Sequence, residues 1–235
     1  FATTALELAS RAGCGDLGLL LPGLRGYPAA LRDAAHPIEV VYYQGRPDIV
    51  SRRCIALVGT RRPSRAGEQL ARRLGQHFAA SGFTVLSGLA DGIDTMAHRA
   101  AIDAGGATAA VLGTPLTAVY PPGNAELQRR LARDHLIVSH VPIVRHARQG
   151  VMDSRRFFRE RNAILAALAE AVVVVEAGDR SGALICARHA LDCGRRVFIP
   201  DRCRLDGTFS WPERLLRRGA IGVRAIGDID ERLAR

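Results

Sequence analysis

The chain has 235 residues, 48% hydrophobic and 24% charged, which suits one or two folded domains with a real core and excludes a disordered chain. All 33 basic residues are arginines, set against 23 acidic ones for a net charge of +10, and lysine is absent. Without lysine there is no P-loop, no Schiff-base or PLP enzyme, no Ser-x-x-Lys hydrolase and no protein kinase.

A GC-rich genome accounts for arginine in place of lysine but not for the surplus of positive charge. That surplus makes nucleic acid or another polyanion the first partner to test. No apolar run reaches the roughly 18–20 residues that span a bilayer, so no membrane partner is expected. The five cysteines (Cys14, Cys54, Cys186, Cys193 and Cys203) contain no Cys-x-x-Cys pair. That pattern speaks against a metal site or a disulfide framework and for a reducing, cytoplasmic location. Phe1 rather than Met opens the sequence and no basic-then-apolar signal segment follows, which reads as a fragment or trimmed chain.

Residues 1–48 read as a helical lead-in, the remnant of a small domain, with helical patterns over Thr3–Ala12 and Asp16–Leu21. Residues 49–235 form the second unit, in which a regular alternation begins at Cys54. The predicted order is strand Cys54–Val58, helix Arg65–Ala80, strand Phe83–Leu86, helix Ile93–Ala104, strand Thr108–Leu112, helix Ala125–Arg133 and strand Leu136–Ser139. An irregular arginine-bearing segment follows. Helix Arg161–Ala169, strand Ala171–Val175, helix Gly182–Leu191, strand Arg196–Ile199, a last helix near Glu213–Arg218 and strand Ile221–Ala225 complete it. Short apolar strands alternating with amphipathic helices predict an α/β fold. Its form is Rossmann-like and doubly wound, with a mostly parallel sheet, helices on both faces and a short helical lead-in. The run Val172-Val173-Val174-Val175 fits a strand buried on both faces.

In such sheets ligands bind beyond the carboxyl ends of the strands. The turns Gly59-Thr60-Arg61-Arg62, Ser87-Gly88, Gly113-Thr114 and Ser181-Gly182 fall on that edge. Glycine admits close approach, hydroxyls donate, helix-start N–H groups favour anions and the arginine fork suits phosphate. Together they form an expected phosphate-binding rim. No Gly-x-Gly-x-x-Gly follows the first strand, so a dinucleotide site is not expected. A second concentration, Arg145–Arg161, places Phe157 and Phe158 among six arginines. It fits either a surface for single-stranded nucleic acid or a solvated loop whose two rings plug the core. Asp94 and His98, four apart on a helix, fit an acid–base or metal pair or a local contact. Glu176 fits a general base or an arginine partner. No catalytic residue, metal ligand or cofactor is assigned.

Several ordered segments then resemble the DprA/Smf (DNA-processing protein A) family. They are IALVGTRRPS at 55–64, SGLADGIDTMAH at 87–98, VLGTPLTAVYPPGNAEL at 111–127, Phe158 with Arg161-Asn162, VVVVEAGDRSGALICAR at 172–188 and LLRRGA at 215–220. The YPAALRD and VVYYQGRP stretches resemble the family's lead-in.

The resemblance implies a Rossmann-like protein that binds single-stranded DNA without hydrolysing nucleotide. It also implies protection of incoming DNA in natural transformation, help in loading a RecA-type recombinase, and a homodimer. The implied DNA contacts are Gly59, Thr60, Arg61, Arg62, Ser87, Gly88, Arg155, Phe158, Arg161, Asn162, Ser181 and Gly182. Some positions depart from the family pattern. Arg155 stands where lysine is frequent, Ala183 replaces a serine, and Asp91 is acidic where many members are basic or neutral. Phe209-Ser210-Trp211-Pro212 interrupts a Gly-Thr-Asn-x-Leu run. The family's C-terminal winged-helix-like domain finds no counterpart in these residues. The alternative is a nucleotide-ligand sensor or nucleotide-processing enzyme of the wider superfamily, although the enzymes' Pro-Gly-Gly-x-Gly-Thr-x-x-Glu motif is absent.

Overall fold

The computed structural model describes Glu7, Ser10 and residues 17–24, 26–32, 38–144, 151–205 and 207–234, with side chains omitted over 151–155. Nine strands form one sheet: β1 Gly18–Leu20, β2 Val41–Gly45, β3 Cys54–Gly59, β4 Thr84–Ser87, β5 Thr108–Leu112, β6 Leu136–Ser139, β7 Ala171–Glu176, β8 Arg196–Pro200 and β9 Ile221–Val223. The helices are α1 Arg65–Ala80, α2 Ile93–Asp103, α3 Ala125–Asp134, α4 Val151–Leu168, α5 Ala183–Asp192, α6 Asp201–Leu205, α7 Trp211–Leu216 and α8 Ile226–Leu233. Among the described residues no helix is long and apolar enough to cross a membrane.

The strand order is β1-β2-β6-β5-β4-β3-β7-β8-β9. From β3 to β9 all pairings are parallel, whereas β1 and β2 add antiparallel at the edge beyond β6. The chain therefore winds outward from β3 through β4, β5 and β6, then returns to lay β7 on the other side of β3. The carboxyl ends of β3 and β7 form the switch point, where helices diverge to opposite faces and leave a crevice.

Strand residues alternate between two apolar layers. Ile55, Leu57, Val173 and Val175 pack with α1, α2 and α8, while Ala56, Val58, Val172 and Val174 pack with α4, α5 and α7. The helices are shaped locally for this role. Ser64 caps α1 by accepting the Gly67 N–H at 3.1 Å, and the helix buries Ala71, Leu74 and Phe78 on one stripe.

Some sequence expectations change. The predicted helix over 16–21 is contradicted by β1, where Leu19 pairs with Tyr42; pairing to a distant strand overrides a weak local helical pattern. Of the predicted helix Thr3–Ala12 only Glu7 and Ser10 are among the described residues, and both are helical; the rest of it lies outside them. The predicted helix Arg161–Ala169 begins ten residues earlier, so the segment from 151 expected to be irregular is helical. The helix predicted near Glu213–Arg218 spans Trp211–Leu216, with Pro212 in its first turn, and it is not the last: α8 follows.

Candidate functional site

A cleft of ≈ 840 Å³ opens at the switch point, between the turn after β3, the start of α2, the cleft face of α4 and the loop from β7 to α5. The β3 turn is held on both sides. Thr60 N–H donates to the Glu176 carbonyl at 2.7 Å, Ile93 N–H donates to the Thr60 carbonyl at 3.2 Å, and the Thr60 hydroxyl accepts the Arg62 N–H at 3.2 Å. Gly92, with φ +76°, makes this possible: a Cβ there would lie 2.7 Å from the Arg61 carbonyl carbon. Arg61 and Arg62 consequently project, exposed, at the rim.

Arg61 is steered further. Its Nη1 donates to the Tyr120 hydroxyl at 3.3 Å, and its guanidinium lies 5.8 Å from the Tyr120 ring centroid. Tyr120 meets the ring of Phe158 edge-on at 5.5 Å. Phe158 is half-buried in the cleft wall, while its neighbour Phe157 is buried, edge-on to His140. The two rings thus divide the two readings: Phe157 plugs the core and Phe158 faces the cleft.

Arg161 and Asn162 also line the cleft, but each is only 7% exposed. The Arg161 guanidinium lies beneath the Gly88 backbone, where a Cβ would overlap it, and donates to the Val111 carbonyl at 3.1 Å. Buried Asp94 acts on its charge through space without forming an ion pair with it, and Asp94 Oδ2 accepts the N–H groups of Gly88 and Ala90 at 3.1 and 3.3 Å. Burial pushes the Asp94 carboxyl up against the opposing pull of Arg161, and burial lowers Arg161. Asn162 Nδ2 donates to the Gly182 carbonyl at 3.2 Å. Ser87 corrects an expectation: it is fully buried, and its hydroxyl donates to the Leu57 carbonyl at 2.6 Å, tying β4 to β3 instead of facing a ligand. Ser181, one residue before the N-cap Gly182 of α5, accepts the Ala183 N–H at 3.3 Å, and Gly182 is exposed. Arg155 lies on α4, but its side chain is outside the described residues, as are Arg145 and Arg148.

The carboxylates around the cleft are engaged. Glu176 accepts the Ser64 N–H and hydroxyl at 2.8 and 2.6 Å and pairs with Arg202 at 3.3 Å, so its role is structural capping of the turn and not that of a free base. Asp179 pairs with Arg214 at 3.1 Å. By contrast, among the described residues Arg61, Arg62 and Arg180, which all line the cleft, have no carboxylate partner. The rim is therefore net positive. Arg180 and Phe209 line the cleft and Tyr120 braces Arg61 and Phe158 beside it, although none of the three stood out in the sequence. Arg180 sits inside GDRSG, next to the flagged Ser181-Gly182, and its position on the turn was the available signal.

Asp94 and His98 do not form an acid–base pair. Thr108 Oγ1 donates to the Val85 carbonyl and so accepts from His98 Nδ1 at 2.7 Å, leaving Nε2 as the unprotonated nitrogen of a fully buried ring. Burial, aided by nearby His135 and Arg161, lowers His98 to about 3. Because the unfolded chain protonates this histidine near 6.5 and the folded chain does not, stability is full above that value and falls as pH drops toward 3. Between pH 7 and pH 4, His98→Asn is expected to lose about 2–3 kcal/mol less stability than the unchanged chain in urea unfolding. Parallel losses in the two proteins would disprove this assignment. Among the described residues no group of three His, Cys, Asp or Glu gathers as a metal site.

The sequence matches the family model for DNA recombination-mediator protein A over residues 19–234. Protein Smf from Synechocystis sp. is 40% identical over 183 residues, which make up 76% of this chain but 44% of that protein, so the chain spans less than half of this relative's length. The X-ray structure of DNA processing protein A from Streptococcus pneumoniae aligns with a TM-score of 0.80 at 33% identity, covering 91% of this chain and 73% of that one. DNA processing protein A from Helicobacter pylori, whose structure addresses its single-stranded DNA binding mode, aligns with a TM-score of 0.78 at 25% identity, covering 93% and 96%. A family match reaching from residue 19 to residue 234, on a fold shared with two solved members, means that this chain belongs to the DNA recombination-mediator protein A family, also named DprA or Smf.

Proposed function

We propose that the cleft binds single-stranded DNA. In this reading the protein protects incoming DNA during natural transformation and helps load a RecA-type recombinase, as a cytoplasmic homodimer that catalyses no reaction. Residues 49–235 form the DNA-binding domain, and the 1–48 lead-in supplies its edge strands. The observation that carries this reading is the set of arginines without carboxylate partners, Arg61, Arg62 and Arg180, around the half-buried ring of Phe158. Arginine forks take phosphates and an aromatic face takes an unpaired base, a pairing of features suited to a single strand. The DNA contacts are assigned to the Gly59–Arg62 turn, the Gly88 backbone, Arg155, Phe158, Asn162 and Ser181-Gly182, with Arg161 supporting them from beneath. The single-stranded DNA binding of the Helicobacter pylori relative supports the choice of ligand.

The engaged state of Glu176, Asp94 and Asp179 favours binding over nucleotide chemistry, since none is free to take a proton from a substrate. Anisotropy titration with labelled oligo-dT at two salt concentrations tests the reading. Affinity is expected to fall steeply with salt and to exceed that for a duplex of equal length. Phe158→Ala is expected to weaken oligo-dT binding about tenfold with an unchanged salt slope. Equal affinity for duplex and single strand would overturn the stacking role, and release of free base from nucleoside monophosphates would overturn the non-enzymatic reading.

A further inference from the structure

The stretch 209–212, where the sequence departs from the family pattern, is firmly built into the fold. Trp211 is buried, and its Nε1–H donates to the Ala177 carbonyl at 2.7 Å. The Ser210 N–H and hydroxyl reach the Asp179 carboxylate at 3.3 and 3.1 Å, and Arg214 reaches it at 3.1 Å. These bonds clamp residue 209 against the loop that leaves β7. The ring of Phe209 stands next to Gly178, close enough that a Cβ there would touch it at 3.8 Å, and yet it remains 41% exposed.

Phe209 lines the main cleft and also a second cavity of ≈ 300 Å³, which holds Ser64, Glu176 and Arg202; Arg62 lines both. The ring is therefore a partition between two adjoining spaces, with an unpaired guanidinium serving each. Phe158 stands on the other side of β3, packed toward Gly113 after β5, while Phe209 stands on the β7 side. An apolar ring fixed at a cationic rim leaves its face in water unless a flat, apolar group covers it.

We propose that Phe209 is a second stacking platform, which takes an unpaired nucleobase on the β7 side while Arg62 takes the adjoining phosphate. The strand then continues from the main cleft over Phe209 into the second cavity. This rests on the single-stranded DNA reading above and extends it to a residue outside the resemblance.

The test compares the unchanged chain with Phe209→Ala and Phe209→Leu on labelled oligo-dT and on an abasic oligonucleotide of the same length, at two salt concentrations. Both variants are expected to lose about tenfold on oligo-dT, with the salt slope unaltered and abasic binding retained. Leucine keeps an apolar side chain over Gly178, so its loss reports stacking and not a collapsed loop. Trp211, the single tryptophan, should keep its emission in both variants. Binding of oligo-dT by either variant within twofold of the unchanged chain, or equal losses on both oligonucleotides, overturns the platform alone. Absence of salt-dependent oligo-dT binding by the unchanged chain overturns the single-stranded DNA reading and the platform with it.

Discussion

Arg161→Ala is expected to destabilise the protein by about 2–4 kcal/mol, more than any other arginine on the cleft, because it removes a buried donor, its packing and the cation whose field reaches the buried Asp94 carboxyl. Arg161 and Asp94 are 7% and 6% exposed, and Asp94 has the N–H groups of Gly88 and Ala90 as its other support. Truncation also empties the space beneath Gly88 and frees the Val111 carbonyl that Arg161 satisfies. Urea unfolding should show a lower midpoint with the slope unchanged. Adding Asp94→Asn to the Arg161→Ala chain is expected to recover part of the loss, since it removes the stranded charge. A loss under about 1 kcal/mol, or no recovery in the double variant, would show that the two groups are solvated and that Arg161 is an ordinary rim cation.

This buried role was partly legible. Phe157, Arg161, Ile164, Leu165 and Leu168 are all buried and repeat at intervals of four, three, one and three, a helical stripe that puts Arg161 on the core face. The stripe is visible once the helix is extended back to 151. The arginine-rich stretch before 161 dilutes the apolar signal, so sequence reading starts the helix too late. The same phase puts Phe158, Asn162 and Leu165 on the cleft. From Cys54 onward the alternation of apolar runs and amphipathic helices carried the fold, because strands buried on both faces have no polar face to confuse them. The lead-in was not legible in this way. β1 is three residues long and exists through its pairing with β2, which in turn pairs Tyr42 with Ser139 nearly a hundred residues away. Strand order and the bond from Arg161 to the Val111 carbonyl are likewise properties of contacts between distant segments, which local pattern does not encode. Of the charge surplus, the sequence showed the amount; the structure shows which of the cleft arginines among the described residues keep a carboxylate and which do not.

That division leads to the second large effect. The double substitution Arg61→Ala, Arg62→Ala is expected to weaken oligo-dT binding about tenfold to a hundredfold near 0.1 M salt, by removing two charge-assisted phosphate contacts. The log–log salt slope should become shallower by about 1.4, twice the roughly 0.7 that each neutralised phosphate contributes on a single strand. The two positions suit this test because the fold does not lean on them. Both are exposed, neither has a carboxylate partner among the described residues, and the turn is held by main-chain bonds at Thr60 and by the shape of Gly92. Stability should therefore stay within about 0.5 kcal/mol of the unchanged chain, the reverse of the Arg161 result. Arg61 also orients Tyr120 against Phe158, so its loss releases one edge of the stacking wall as well as a charge. Comparing single variants separates these contributions. Arg62→Ala should alter affinity and slope together, whereas Arg61→Ala should lose more affinity than its slope change accounts for. If the double variant keeps both its affinity and its slope, the turn after β3 is not the phosphate rim, and the positive charge that opened the sequence acts elsewhere on the surface.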